Sequence, residues 1–369
     1  SSIHYNKEPD RYVLACAIHI EFSFNFFTFT TNPTMVNYLS IDEDFDFDFD
    51  LDSLPQIQIT AKSLCILSYL LRENVELCNS LGKHVIECCK VQSKSSSSAC
   101  QIASAVAIGN LSEGIAMTGN PMFENFPFEM SFILDSLISD LKYQLPEDAD
   151  LLIAFFNACS KIVEWHEYEK LGAYLRPILH FALEILSNIT SEPSYDSKAR
   201  EVAENINSFL SMISASAEEQ APNLLDDFLT FYIQKLTNHP EIRFRSLAAH
   251  FFSDIMYSSS EVLNNNFKIN MLSFSLTLAD QFGDHYAFVC LRVVAAKIEE
   301  IEFAKKIANN VLNVCMSKIT LPFIKSKKFL LMRDNAVSTL ALYALNVFKE
   351  NFNFDDCLPS ILNALPLTI

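Results

Sequence analysis

Cysteine and histidine are among the side chains of this sequence that could act as nucleophiles, general bases or metal ligands. The ten cysteines are dispersed, with no Cys-x-x-Cys arrangement, and the eight histidines lack metal-site spacing. We therefore predict that the cysteines are small buried side chains in a protein of a reducing compartment. His166, beside Trp165, and His250, in an apolar stretch, are interpreted as packed residues rather than ligands or bases.

Phosphate-binding and catalytic motifs are missing from the sequence. Only 6 glycines occur, and Gly109, Gly114 and Gly119 are too scattered to form a Gly-x-Gly-x-x-Gly or Gly-Lys-Ser/Thr loop. No nucleophile stands with a base in a recognisable motif, and no paired carboxylates define a pocket. The sequence thus predicts a protein that is not an enzyme and that needs no cofactor or metal.

The charge balance of the chain is strongly acidic. It has 45 acidic and 27 basic residues, a formal net charge of −18. Nucleic-acid binding depends on lysine and arginine contacts to phosphate, so this balance argues against a nucleic-acid partner. An acidic surface favours basic protein partners, although it could also serve solubility alone.

Beyond about residue 55, the apolar residues recur at helical spacings of three and four, with turn-forming residues between the stretches. Four predicted helix faces are clear from this spacing: Leu152, Phe155, Phe156, Cys159, Ile162 and Val163; Val202, Ile206, Phe209, Leu210 and Ile213; Ile242, Leu247, Phe251, Phe252 and Ile255; and Val337, Leu340, Ala341, Ala344, Val347 and Phe348.

Pairing these helices gives seven units whose first helices start near residues 56, 95, 147, 196, 241, 282 and 329. A period of about 40 to 50 residues is typical of two-helix HEAT or armadillo repeats, whose stacked pairs share one continuous core. We therefore predict an all-α, HEAT/armadillo-like superhelical solenoid of about seven antiparallel helix pairs over residues 55–369. A generic all-α bundle is the alternative fold.

The segment before the solenoid has a different character. Residues 1–35 are aromatic-rich and are left unassigned, whereas residues 36–54 are predicted to be an acidic linker in which Phe45, Phe47 and Phe49 alternate with aspartates. The alternative for this linker is an acidic aromatic peptide that docks on a basic partner or folds back into the solenoid as a cargo mimic. The sequence contains no apolar run long enough to cross a bilayer, so no membrane insertion is expected.

Several short motifs in the second half of the chain are similar to those of known helical repeats. Pro240-Glu241-Ile242-Arg243 followed by Ala248-Ala249 is similar to the turn and first helix of a HEAT repeat. Residues 334–341 (Asp-Asn-Ala-Val-Ser-Thr-Leu-Ala) are followed by a Leu358-Pro359 helix start and a Leu365-Pro366-Leu367 exit. This order resembles the late repeats of importin-beta nuclear transport receptors of the beta-3 kind. The resemblance covers about residues 36–369, as a receptor segment incomplete at both ends.

The resemblance implies a nuclear import function. First helices would offer apolar clefts to Phe-Gly nucleoporins, and second helices would hold basic cargo on a concave face, with Asp135, Asp140, Asp226 and Asp227 as candidate cargo-binding residues. Solvated helix charge is the alternative interpretation of these four. The GTPase Ran would bind only through repeats outside this segment, and the expected location is the cytoplasm, nucleus and nuclear pore.

A static HEAT-repeat scaffold of a multiprotein complex is the alternative function. It uses the same fold, and the presence or absence of binding to Phe-Gly nucleoporin segments distinguishes the two.

Overall fold

The structure is a computed structural model that describes residues 61–140, 148–166, 168–191, 197–217, 221–259, 263–322 and 324–363. These residues form α-helices, short 3-10 and π segments and turns, and no β-strand. The predictions for residues 1–35 and 36–54 lie outside the described ranges. The fourteen α-helices of the described ranges are α1 (Ala61–Glu73), α2 (Val75–Gln92), α3 (Ser98–Thr118), α4 (Phe126–Asp140), α5 (Ala149–Trp165), α6 (Tyr168–Ser191), α7 (Ser197–Ser216), α8 (Ala221–Phe231), α9 (Ile242–Ser259), α10 (Asn265–Phe282), α11 (His285–Ala296), α12 (Ile301–Ile319), α13 (Lys327–Leu342) and α14 (Phe354–Asn363).

The described residues fall into two compact units, one that extends to residue 174 and one that starts at residue 175. In the first unit, α1, α3 and α5 pack side by side, and α2 packs on α1, α3 and α4. In the second unit, α7, α9, α11 and α13 pack side by side in sequence order, while α10, α12 and α14 follow one another in a second row. Each unit therefore has the two-row packing of an all-α helical-repeat solenoid, which a generic bundle lacks.

The predicted repeat starts agree with the observed helices. The first helices α3, α5, α7, α9, α11 and α13 begin at residues 98, 149, 197, 242, 285 and 327, each within about three residues of its predicted position. The start predicted near residue 56 lies outside the described residues, which include α1 from Ala61 onward.

Helix ends follow from capping chemistry. The side chains of Asn74, Asn264, Asp284 and Ser326 each accept a hydrogen bond from a backbone N–H in the first turn of the helix that follows. At the other end of α10, Gly283 takes the left-handed conformation, with φ of +59°. A glycine tolerates this conformation without steric cost, so α10 ends where the predicted Gly283-Asp284 turn begins.

The predicted apolar faces form most of the core. Every residue of the faces on α5 and α7 is buried, as are Leu247, Phe251, Phe252 and Ile255 on α9, where Ile242 is half-buried. Phe252 packs against Phe267 and Phe274 of α10, with ring centroids 6.0 and 5.9 Å away. The two helices of this repeat, one from each row, are therefore joined through aromatic contacts.

The predicted face at residues 337–348 is buried only in part. Val337, Leu340 and Ala344 are buried as predicted, whereas Ala341 is exposed, Val347 and Phe348 are half-buried, and the unpredicted Tyr343 is fully buried. From Tyr343 onward, a π-helical segment, Tyr343–Phe348, continues α13. A π turn contains more residues than an α turn, so the buried face moves to different positions. The Leu358-Pro359 helix start was also wrong, because α14 begins at Phe354 and contains Pro359.

Candidate functional site

The four candidate aspartates lie on second helices, as expected. Asp135 and Asp140 belong to α4 in the first unit, and Asp226 and Asp227 to α8 in the second. Asp135, Asp226 and Asp227 are exposed, whereas the side chain of Asp140 lies outside the described part of the structure. The two pairs belong to separate units, so each has its own set of neighbouring residues.

The neighbourhood of Asp135 already contains basic groups of the chain itself. Lys94 Nζ lies 4.5 Å from the ring centre of Phe132, one turn before Asp135, and Lys90 Nζ is 3.5 Å from Glu129 Oε1 on the same helix. Partial burial raises the pKa of the Asp135 carboxyl above its ordinary value. This part of α4 thus combines acidic and basic side chains and is a weaker candidate for cargo binding.

Asp226 lines an open cleft of about 310 Å³ between α8 and the start of α10. Its walls combine apolar and polar residues, namely Asp226, Leu229, Thr230, Ile233, Gln234, Leu263, Asn264 and Phe267. Leu229 and Leu263 are buried, and Ile233 and Phe267 are half-buried. Thr230, Gln234 and Asn264 are exposed at the rim. The cleft therefore has an apolar floor below a polar edge that carries one carboxylate.

The α8 wall of the cleft follows from helical spacing. Positions 226, 229, 230 and 233 recur at three and four residues, so they share one face of α8 and its continuation. Asp227 projects beside this face and does not line the cleft. A π-helical segment, Tyr232–Leu236, extends α8, and it closes with a 3.0 Å hydrogen bond from Thr237 N to Tyr232 O. Such segments are frequent at functional sites.

Buried contacts anchor the π segment from below. The Tyr232 ring lies 4.3 Å from that of Phe251, and its hydroxyl donates a 2.8 Å hydrogen bond to Asn207 Oδ1 on α7. Since Ile233 and Gln234 directly follow Tyr232, this anchor fixes the wall that they form. The opposite wall is fixed by Asn264, whose side chain accepts a 2.8 Å hydrogen bond from Asn266 N at the start of α10.

The electrostatics of the cleft favour a cationic ligand. Asp226 and Asp227 form no ion pair with any residue that the structure describes. Lys268, one residue after Phe267, is buried and pairs with buried Glu300, with Nζ 2.6 Å from Oε1. The charge of Lys268 is therefore balanced by Glu300. The π segment itself carries one basic residue, Lys235, which is exposed, whereas Asp226 and Asp227 supply two exposed carboxylates.

No protein-family model matches the chain, and no curated protein matches it significantly.

The described cysteines and histidines are packed rather than assembled into a reactive site. Six of the nine described cysteines are buried, and burial raises the pKa of Cys78 to about 11 and that of Cys290 to about 12. His166 lies against Phe126, and His250 stacks on Tyr286, with ring centroids 5.4 and 4.2 Å apart. The packing interpretation of both histidines is thus confirmed. Cys16 lies outside the described residues.

Two further findings limit what these residues could do. Within the described ranges, no three His, Cys, Asp or Glu side chains are grouped so that they could hold a metal ion. None of the described helices combines the length and the apolar character that a membrane-spanning segment requires.

The apolar floor of the cleft was not anticipated from the sequence, since Leu229 and Phe267 come from different helices and look like ordinary core positions.

Proposed function

We propose that this chain is a non-catalytic protein-binding solenoid that holds basic peptide segments on its second helices, as part of a nuclear transport receptor. The observation that carries the binding proposal is the cleft in which the exposed carboxylate of Asp226 stands above the apolar floor at Leu229 and Phe267. A lysine or arginine side chain suits this arrangement, because its methylene stem packs on apolar surface while its charged head reaches a carboxylate.

The net charge supports the same class of ligand. A chain with a net charge of −18 attracts Lys- and Arg-rich segments at long range. The exposed carboxylates of Asp226 and Asp227 can then bind such a segment at one position on the surface. Each exposed ion pair contributes about 0 to 1 kcal/mol, so useful affinity requires several pairs together with burial of an apolar stem.

The nuclear transport part of the proposal rests on the order of the helix pairs and on the short motifs that resemble importin-beta receptors. It implies Lys- and Arg-rich cargo and Phe-Gly nucleoporins as partners, with activity in the cytoplasm, nucleus and nuclear pore. The static scaffold is the competing function. A pull-down with Phe-Gly nucleoporin segments distinguishes the transport receptor from the scaffold, because a receptor retains these segments and a scaffold does not.

Cargo binding is tested by fluorescence anisotropy with a labelled Lys- and Arg-rich peptide, at about 0.01 M and about 0.15 M ionic strength. Reversing Asp226 and Asp227 to lysine should weaken binding by roughly tenfold, since two attractive pairs become repulsive. Thr230→Trp, at the exposed rim, should weaken binding without a change of charge, because the indole fills the cleft.

The matched control reverses Asp46 and Asp48 to lysine, which changes the net charge equally in the acidic segment. This control should retain most of the affinity. Equal losses from the two double reversals would show a diffuse acidic field and make the cleft assignment wrong. Binding that does not weaken with salt would contradict the electrostatic mechanism itself.

A further inference from the structure

One stretch of this acidic chain is free of acidic residues and rich in basic ones. Residues 303–333 contain none of the 45 aspartates and glutamates, although the chain as a whole has a net charge of −18. The stretch contains seven of the 27 basic residues: Lys305, Lys306, Lys318, Lys325, Lys327, Lys328 and Arg333. Three of them, Lys325, Lys327 and Lys328, fall between the end of α12 and the first turn of α13.

This turn also exposes aliphatic side chains. Leu321 is 42% exposed and Ile324 is 58% exposed, in a connection whose lysines Lys325, Lys327 and Lys328 are exposed as well. We call these five residues the basic turn. Its lysines form no ion pair with a residue that the structure describes. An anionic ligand would therefore not have to displace an internal partner of these lysines.

The lysines of the basic turn do not stabilise the fold of the second unit. The first turn of α13 contains no acidic residue, and Lys327 and Lys328 are its first two residues. Positive charge at a helix N-terminus opposes the helix dipole, so these lysines reduce the stability of α13. The capping requirement is met separately by Ser326 Oγ, which accepts a 3.2 Å hydrogen bond from Phe329 N.

A second exposed apolar side chain lies at the same end of the neighbouring second helix. Phe282, the last residue of α10, is 39% exposed, and the guanidinium carbon of Arg245 lies 4.5 Å from its ring centre. Lys318 Nζ on α12 donates to the backbone carbonyl of Asp280, which ties the ends of α10 and α12 together. The apolar and basic groups of the two turns therefore form one surface.

Acidic groups near this surface are few. Asp280 is exposed, but Asp284 is buried, and its carboxylate accepts hydrogen bonds of 2.6 Å from Ser246 Oγ and 3.0 Å from Ala287 N. The Asp284 carboxylate thus caps the N-terminus of α11 and is not exposed at this surface. The surface keeps a local excess of positive charge in spite of the acidic chain.

We propose that the basic turn, together with Phe282, binds a partner peptide in which carboxylates alternate with aromatic or aliphatic side chains. The carboxylates pair with Lys325, Lys327 and Lys328, and the apolar side chains cover Leu321, Ile324 and Phe282. Each kind of contact alone is weak at an exposed surface, so recognition depends on a ligand that supplies both.

A short acidic peptide fits the charge distribution better than a nucleic acid or an anionic membrane. Exposed charges interact over about 8 to 10 Å at physiological ionic strength, so a short peptide meets mainly the local positive field. An extended polyanion or a lipid surface would also face the acidic remainder of a chain with a charge of −18. Repulsion from this remainder disfavours both.

The test uses the full chain and a labelled peptide of twelve residues, Asp-Phe-Glu-Leu repeated three times, with binding followed by anisotropy. Two matched peptides replace the acids by amides or the apolar residues by serine. The protein variants are Lys325→Ala/Lys327→Ala/Lys328→Ala and Leu321→Ser/Ile324→Ser. The control variant is Lys62→Ala/Lys83→Ala/Lys235→Ala, which removes three other exposed lysines and changes the net charge equally.

Both turn variants should weaken binding of the acidic apolar peptide by about tenfold or more, and the control variant by less than about threefold. Both altered peptides should bind weakly. Thermal melts of the variants verify folding, since all substituted residues are exposed. The proposal is wrong if the serine peptide binds as well as the original, or if the turn and control variants behave alike. It is also wrong if anionic vesicles or a single-stranded oligonucleotide depend on the basic turn while the peptide does not.

Discussion

The hydroxyl of Tyr232 donates a 2.8 Å hydrogen bond to Oδ1 of Asn207 inside the second unit, where both residues are fully buried. The bond joins α7 to the first residue of the π segment that forms one wall of the candidate cleft. Burial raises the pKa of Tyr232 well above its ordinary range, so the hydroxyl remains a donor at physiological pH.

Tyr232→Phe should lower the free energy of unfolding by about 1 to 3 kcal/mol, because a buried oxygen of Asn207 loses its donor. Urea denaturation of the variant and the unmodified chain measures the difference. Tyr257→Phe is the matched control, since Tyr257 is 72% exposed and its hydroxyl is solvated in both states. Equal small effects at both positions would argue against a structural role for the Tyr232 hydrogen bond.

Phe252→Ala should cost about 3 to 5 kcal/mol of stability, since Phe252 is fully buried among the rings of Tyr232, Phe267 and Phe274. The substitution removes contacts within α9 and between the two helix rows. Tyr257→Ala, on the exposed side of the same helix, should change stability by about 0.5 kcal/mol or less. An unchanged melting temperature for Phe252→Ala would contradict the described packing of α9.

His285 should make the stability of the second unit sensitive to pH. Burial lowers the pKa of His285 below its ordinary value of 6.5, and nearby His250, Lys328 and Arg200 lower it further, while Asp284 opposes them. The unfolded chain then binds a proton at a higher pH than the folded chain. Stability is retained above about pH 6.5 and is lost as the pH falls through the lower folded pKa.

His285→Gln should reduce this loss. Between about pH 7.5 and pH 5.5, the urea midpoint of the unmodified chain should fall more steeply than that of the variant. His250, which stacks on Tyr286 opposite His285, remains in both proteins, as do the nearby carboxylates. Parallel profiles of the two proteins would rule out a role for His285.

The fold was predictable to a large extent because each repeat has its own apolar signature. The faces at residues 152–163 and 202–213 are buried throughout, and the helix starts follow capping residues such as Asp284 and Ser326. Val347 and Phe348 are only half-buried, since a spacing of 3.6 residues per turn cannot anticipate the π segment at Tyr343–Phe348. Tyr343, the first residue of that segment, is fully buried although it was not predicted to be.

The candidate site was predictable only in part. The sequence placed Asp226 and Asp227 on a second helix, because the order of apolar faces fixes which helix of each pair comes second. It could not show that Asp226 borders a cleft while Asp227 does not, nor that Leu263 and Phe267 close the other side. These relationships depend on how α8 and α10 lie in the packed unit, where Tyr232 holds the α8 side through Asn207 of α7 and Phe251 of α9.

The sequence by itself determined the all-α class, the period of the helix pairs and the acidic character of the chain, because these depend on local spacing and composition. Only the tertiary structure decided which side chains form a common surface. The exposed carboxylate of Asp226 stands above an apolar floor that another helix completes, and the hydrogen bond from Lys318 to the Asp280 carbonyl brings Phe282 of α10 to the basic turn. Such neighbours are fixed by the packing of helices and turns, and the pattern along any single helix does not contain that information.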